Sequence, residues 1–207
     1  MEELKNKHYD FIEIGTSDFR TLIEICKDDE VGLSIEPIQT YLDNLPNKKN
    51  VKKLCCAISD RDGFVDMFYV KPNVIEKNNL HEDVRGCNSI IKPHLSIKKL
   101  LGDKHDEFVT VEKVKTLTWN TLIEMYEIDS INFLKIDTEG HDAIILNELY
   151  KIAINKVSLF PRKILFENNI LSDKELTRQV ISNFEKYGYK GKQIGRDYEL
   201  IRTNNKQ

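Results

Sequence analysis

The stretch "INFLKIDTEGHDAIIL", Ile131 to Leu146, decides the fold. It begins as an apolar run of strand length and ends, from Ala143 to Leu146, in a second apolar run with helical spacing. Between the two runs Asp137, Glu139, His141 and Asp142 crowd around one glycine, Gly140. A short buried strand hands over to a helix at a polar junction. In an open α/β sheet the carboxyl end of a strand, where such a junction lies, is where ligands bind.

Outward from that junction the chain alternates. "DFIEIG" (Asp10 to Gly15) reads as a strand stopped by glycine, and "FRTLIEICK" places Phe19, Leu22, Ile23 and Cys26 at helical spacing. "VGLSIEP" (Val31 to Pro37) is a second strand, "IQTYLDNLP" a short helix and "VKKLCCAIS" (Val51 to Ser59) a third strand. Past the turn "DRDG", "FVDMFYV" reads as an extra strand; "FVTVEKV" is another, and "TLTWNTLIEMYEI" is a helix offering Leu117, Leu122, Ile123 and Tyr126 to a core. "KILFENN" (Lys163 to Asn169) is a further buried strand, and "SDKELTRQVISNFEKYG" opens with a capping box, Ser172 with Glu175, and closes on Gly188. "YELIRTN" supplies a last, antiparallel strand. The pattern predicts an α/β fold: a Rossmann-like, doubly wound, mostly parallel sheet with helices on both faces, as one domain over residues 1–207.

Residues 71–107 break the alternation. With two prolines and two glycines the segment is too long for a simple connection, and it reads as an insertion acting as a lid over one end of the sheet. Within it Arg85, Cys87, Asn88, Ser89 and His94 form a polar cluster suited to reading a ligand through hydrogen bonds. The alternative is an ordinary loop followed by a small amphipathic helix, "LSIKKLL".

Composition narrows the partners. A net charge of -3, with 40% hydrophobic and 31% charged residues, gives no pull toward polyanions, so no nucleic acid is expected. The basic run "NKKNVKK" reads as a solvated turn. Cys26, Cys55, Cys56 and Cys87 lack CxxC spacing, which fits four free thiols in a reducing compartment. No apolar run reaches membrane-spanning length and "MEELKNKHYDF" lacks a signal-peptide core, so a cytoplasmic protein without membrane contact is expected. A homodimer stays open. The short leader before the first strand leaves a substrate pocket to be expected from the insertion, the strand ends or another subunit.

The first strand end carries "EIGTSDF", where Gly15 lets a backbone approach a ligand and Thr16, Ser17 and Asp18 offer polar groups. The second carries Glu36, about 20 positions on, where a carboxylate can take both hydroxyls of a ribose. This pairing points to a nucleoside cofactor. A dinucleotide site wants GxGxxG for its pyrophosphate, and only one glycine of that set is present, so a cofactor without phosphate fits better.

"FIEIG", "GLSIEP", "CCAISDRDG" and "TLTWNTLIEMYEIDSINFLKIDTEGHDAIIL" resemble, in order and spacing, the FkbM-type methyltransferases from Asp10 to about Arg202. The most specific block, "LKIDTEGHD", is similar to that family's D-x-E-G-x-E signature. The resemblance implies a class I fold that uses S-adenosyl-L-methionine and methylates hydroxyl oxygens of sugars or secondary metabolites. It also implies that Gly15, Glu36, Ile58 and Ser59 hold the cofactor, with Asp137 at the edge of the reaction chamber; Glu13, near the end of the same first strand, is a further candidate cofactor contact. Two departures stand out. The family's GANxG loop is here "GTSDF", which leaves Ser17 and Asp18 to meet the methionine end in another way, and Asp142 replaces the usual Glu.

Methyl transfer to an alcohol requires alignment of the oxygen with the S–CH3 bond and removal of its proton. Two routes fit. A general base can act, with His141, Asp137 and Glu139 as candidates, or a cation such as Mg2+ held by Asp137, Glu167 and Asn168 can acidify the hydroxyl. The bland readings are that Glu139 and Asp142 serve the start of a helix, that His141 partners a carboxylate, and that Glu167 and Asn168 cap a turn. The expected function is O-methyl transfer to a small-molecule or glycan acceptor. The alternatives are an inactive methyltransferase-fold binding module or partner subunit and, further off, a nucleic-acid methyltransferase.

Overall fold

The computed structural model describes residues 7–203 except 92, 94 and 169, and the side chains of 95 and 96 also lie outside the description. The strands are β1 (Lys7–Ile14), β2 (Gly32–Ile35), β3 (Val51–Leu54), β4 (Ala57–Ile58), β5 (Gly63–Val70), β6 (Val109–Leu117), β7 (Ile128–Ile136), β8 (Lys163–Glu167), β9 (Tyr189–Ile194) and β10 (Asp197–Arg202). The helices are α1 (Leu22–Ile25), α2 (Gln39–Asn44), α3 (Pro72–Lys77), α4 (Leu95–Leu101), α5 (His105–Phe108), α6 (Trp119–Tyr126), α7 (Asp142–Ala153) and α8 (Lys174–Glu185).

The main sheet runs β3-β2-β1-β7-β8-β10-β9. Its members are parallel except β10, which is antiparallel to both β8 and β9. The chain winds outward from β1 to β3, then returns to the other side at β7. The order therefore reverses between β1 and β7, the place where such sheets open a crevice.

Period-2 alternation assigns the faces. On β1, Ile12 and Ile14 enter the larger core with Trp119 and Leu122 of α6 and Ile145, Leu146 and Leu149 of α7. Phe11 faces the other way, into the cluster formed by Ile23, Leu42 and Leu45. Both sheet faces are covered, so β7 carries buried residues at Ile131, Leu134 and Ile136 as a central strand should. Fully buried side chains of this size contribute roughly 1.5–3 kcal/mol each. Trp119 is anchored further by donating from Nε1 to the Ile145 carbonyl at 2.9 Å.

Several expectations shift. The third strand is two: β3 stays in the main sheet, while β4 pairs with β6 in a separate sheet of order β4-β6-β5. The helix expected over Phe19 to Lys27 is the single turn α1. Asp173, not Ser172, caps α8, its Oδ1 accepting from the amides of Glu175 and Leu176 at 2.9 and 3.0 Å. Strand β9 replaces a stretch that had no predicted element. Asn169, expected to end β8, lies outside the described residues. The insertion is folded: α3, α4, α5 and a 3-10 turn over Glu82–Gly86 surround a cluster including Ile75, Val84, Ile97 and Phe108. All four cysteines are free, and no helix among the described residues is long and apolar enough to cross a membrane.

Candidate active site

The β1 and β7 ends meet at very close range. The amide of Gly15 donates to the Ile35 carbonyl and that of Asp137 to the Ile14 carbonyl, both at 2.9 Å. Gly15 has φ +78°, and a Cβ there would stand 2.0 Å from the Asp137 carbonyl oxygen. Only glycine fits this position. Beyond these ends lies a cavity of about 780 Å³, within the range of small-molecule and cofactor sites.

Glu36, at the end of β2, is buried. Its Oε2 accepts from the Ser17 amide at 2.7 Å and its Oε1 from the Ile38 amide at 3.0 Å. Burial pushes its carboxyl up to about 7, against the pull of these two amides. Each oxygen retains a lone pair for a ligand hydroxyl. Ile58 and Pro37 give the same part of the cavity apolar walls.

The opposite wall is acidic. Carboxylate oxygens of Asp137, Glu139 and Glu167 lie within 4.8 Å of one another. Glu139 reaches this position because it adopts a left-handed backbone, φ 52°, before Gly140 at φ 106°. Such conformations in a non-glycine residue cluster at functional sites. Asp137 is exposed to the cavity yet stands deep between its walls, and partial desolvation together with Asp142 and Glu139 raises it to about 7. Glu167 is buried; desolvation first, then Glu139, Asp137 and Asp142, push it up to about 9, and its Oε2 has no hydrogen-bond partner among the described residues. Three carboxyl groups at this spacing must share protons or hold a cation.

His141 stands beside them as the residue that opens α7. Its Nε2 lies 3.0 Å from Ser59 Oγ, which itself donates to Asp60 Oδ1 at 3.2 Å. With the serine proton committed to Asp60, His141 donates through Nε2 and keeps the lone pair on Nδ1. That atom is buried without a partner, and burial lowers the ring's pKa, so the ring is neutral near pH 7. His141 lines the cavity, whereas Ser59 sits behind it.

Other expected site residues sit elsewhere. Glu13 shares the β1 face that looks toward α1. It pairs in register with Lys135 of β7, bonds its Nζ at 2.7 Å and accepts from the Leu22 amide at 2.7 Å, outside the cavity lining. Asn168 also points away, donating to Gln193 and accepting from Lys174 Nζ at 3.1 Å; Glu139 takes the third place in the carboxylate group. Asp142 is buried between Thr138 Oγ1 at 2.8 Å and the Glu167 amide at 3.1 Å, so it ties α7 to β8. Ser17 lines the cavity, and Asp18 lies behind it in an ion pair with Arg85. His94 lies outside the described residues.

The structure adds Lys135, Arg196 and Asp197 to the lining. The last two belong to the β9–β10 hairpin, whose Arg196 carbonyl accepts from the Asn168 amide at 2.8 Å and so hangs the turn over the end of β8. The turn residues of "IGRD" were the available signal. Cys87, Asn88 and Ser89 bring the insertion over the cavity, where Ser89 Oγ donates to the Glu139 carbonyl at 3.3 Å.

A seven-stranded sheet with one reversed strand, a glycine-limited switch point and an acidic residue ending β2 define a Rossmann-like α/β protein of the methyltransferase type. The model of the methyltransferase FkbM domain matches residues 12–190, and the chain belongs to that family. No curated protein and no solved structure matches it.

Proposed function

We propose that the protein is an S-adenosyl-L-methionine-dependent O-methyltransferase whose acceptor is a hydroxyl of a sugar or glycan. The observation that carries this reading is the division of one cavity: Glu36 and Gly15 at one side offer what a nucleoside needs, and His141 with three carboxyl groups at the other offer what a hydroxyl needs. Family membership supports methyl transfer and, through it, the cofactor.

When bound, the cofactor supplies an electrophilic methyl group on a sulfonium. Glu36 accepts hydrogen bonds from the ribose hydroxyls, and Gly15 lets the chain pass close beneath the ligand. Asp137 and its acidic neighbours favour a positive charge at the centre of the cavity. His141 Nδ1 accepts the hydroxyl proton as the oxygen attacks. The buried, unpartnered Glu167 Oε2 and the spacing of Asp137, Glu139 and Glu167 also fit a divalent cation such as Mg2+, which would acidify and orient the hydroxyl.

The test is incubation with methyl-labelled S-adenosylmethionine and a panel of sugars and oligosaccharides, in Mg2+ and in EDTA, with product examined by NMR. An O-methyl resonance on a sugar carbon supports the reading. Label on nitrogen or carbon, or label retained wholly in the cofactor across the panel, contradicts it.

A further inference from the structure

The cavity lining carries three exposed cations that the transfer described above does not use: Arg20, Lys99 and Arg196. They come from three separate segments. Arg20 precedes α1, Lys99 belongs to α4 of the insertion, and Arg196 sits in the turn between β9 and β10. Among the described residues none of the three forms an ion pair or a side-chain hydrogen bond. Lys135, a fourth cation of the lining, is already met by Glu13 Oε1 at 2.7 Å.

The fold sets each of them at the mouth. Ile194 pairs with Asp197, so Gly195 and Arg196 alone make the hairpin turn, with Gly195 at φ 61°. That turn is pinned on both sides: the Arg196 carbonyl accepts from the Asn168 amide at 2.8 Å and the Gly195 carbonyl from Gln193 Nε2 at 3.0 Å. The charge of Arg196 reaches the Cys87 thiol, so hairpin and insertion face each other across the opening. Helix α4 buries Ile97 and Leu101 in the insertion's own core, which turns Lys99 and Leu100 away from that core and into the cavity lining. Arg20 adopts a left-handed backbone, φ 56°, and its carbonyl accepts from Lys135 Nζ at 3.3 Å, which holds it beside the end of β7.

Charge is therefore sorted along the cavity. Asp137, Glu139 and Glu167 gather where β7 and β8 end, and the cations stand on the segments that cover those ends. Of the acids at the mouth, Asp83 lies 3.3 Å from His81 Nδ1 and Asp197 lies within electrostatic reach of both Arg196 and Lys135. Arg20 and Lys99 remain unanswered. A ligand that reaches this mouth meets side chains that donate only. A guanidinium in particular matches the paired oxygens of a carboxylate or a phosphate. Beside the cations, Phe19 and Leu100 line the same opening, each 42% exposed, and offer apolar surface to the C–H groups of a sugar ring.

We propose that the acceptor is an anionic sugar, one that bears a carboxylate or a phosphate, and that Arg20, Lys99 and Arg196 hold this anion while the reacting hydroxyl lies against His141. The inference rests on the O-methyltransferase reading above and narrows its acceptor class. It gives the insertion and the β9–β10 hairpin one shared task, selection of the acceptor by charge.

The test adds matched pairs to the sugar panel: galactose with galacturonate for the carboxylate, and glucose with glucose 6-phosphate for the phosphate. At low salt, kcat/KM for one anionic member exceeds that of its neutral partner by about 100-fold, the size of a few charge-assisted hydrogen bonds. The pair that shows the preference tells carboxylate from phosphate. Added NaCl shrinks the preference, because charges at an open mouth are screened. Arg196→Gln and Lys99→Gln each cut it about tenfold. Both residues are exposed, and a melting curve checks that the variants fold. Transfer confined to neutral sugars, equal transfer to charged and neutral partners, or a preference unmoved by salt and by both substitutions overturns the inference while the O-methyltransferase reading stands. Label on no member of the whole panel overturns both.

Discussion

Replacing Glu167 by Gln is expected to stabilise the metal-free protein, and to do so more strongly as pH rises. The Glu167 carboxyl is raised from 4.5 to about 9 by burial and by three acidic neighbours, and Asp137 is raised from 3.8 to about 7. A raised carboxyl holds its proton in the folded chain when the unfolded chain has released it, so stability falls as pH climbs from the unfolded value toward the folded one. At about 1.4 kcal/mol per pH unit, Glu167 alone costs on the order of 3 kcal/mol at pH 7. Gln keeps the shape and removes the charge. Scanning calorimetry in EDTA should find Glu167→Gln melting about 5 to 10 °C above wild type at pH 8 and within about 2 °C of it at pH 5. Mg2+ should raise the wild-type melting temperature more at pH 8 than at pH 6 and leave the variant nearly unmoved. Parallel melting-against-pH curves for the two proteins would refute the reasoning, because they would mean that neither burial nor the acidic neighbours raise the Glu167 carboxyl.

Three further outcomes follow from the geometry. His141→Gln should lower kcat by about 100-fold or more while S-adenosylhomocysteine affinity stays within about twofold, and wild-type kcat should hold its plateau below pH 6.5, because burial lowers the ring's pKa and only the deprotonated ring is active. Gly15→Ala should cost several kcal/mol, on the order of 3 or more, since its Cβ would overlap the Asp137 carbonyl; a soluble, wild-type-like melt would contradict the account. Glu13→Gln should lose about 1–3 kcal/mol in chemical denaturation by unpairing Lys135, yet keep S-adenosylhomocysteine binding; loss of binding with stability intact would return Glu13 to the cofactor site.

The sequence made the winding of the sheet readable because each central strand is a short apolar run closed by glycine, proline or an acidic residue, as in "FIEIG", "GLSIEP" and "FLKID". It hid the second sheet, since β5 and β6 look like any other strands and their pairing is decided by tertiary contact. β9 was missed because "YKGKQI" is an exposed edge strand whose residues after Tyr189 carry no buried pattern. The placing of Glu36 and Asp137 at strand ends that line the cavity was legible. The direction of a side chain was harder: Glu13 lies two residues after Phe11 and shares its face toward α1, outside the cavity lining. Glu139 replaced Asn168 in the carboxylate group for a reason invisible in the motif, the left-handed turn at Glu139 and Gly140 that swings its side chain inward. The ion pair of Asp18 and Arg85 joins residues about 70 positions apart and emerges only when the insertion folds over the loop.

The central claim is that the crevice between β1 and β7 holds S-adenosylmethionine against Glu36. Calorimetric titration of S-adenosylhomocysteine into the wild-type chain and into Glu36→Ala tests it most directly. The account predicts micromolar binding, on the order of -8 kcal/mol, to the wild type, and a loss of about tenfold or more in a folded variant. No binding to the wild type, or equal binding to both proteins, would contradict it.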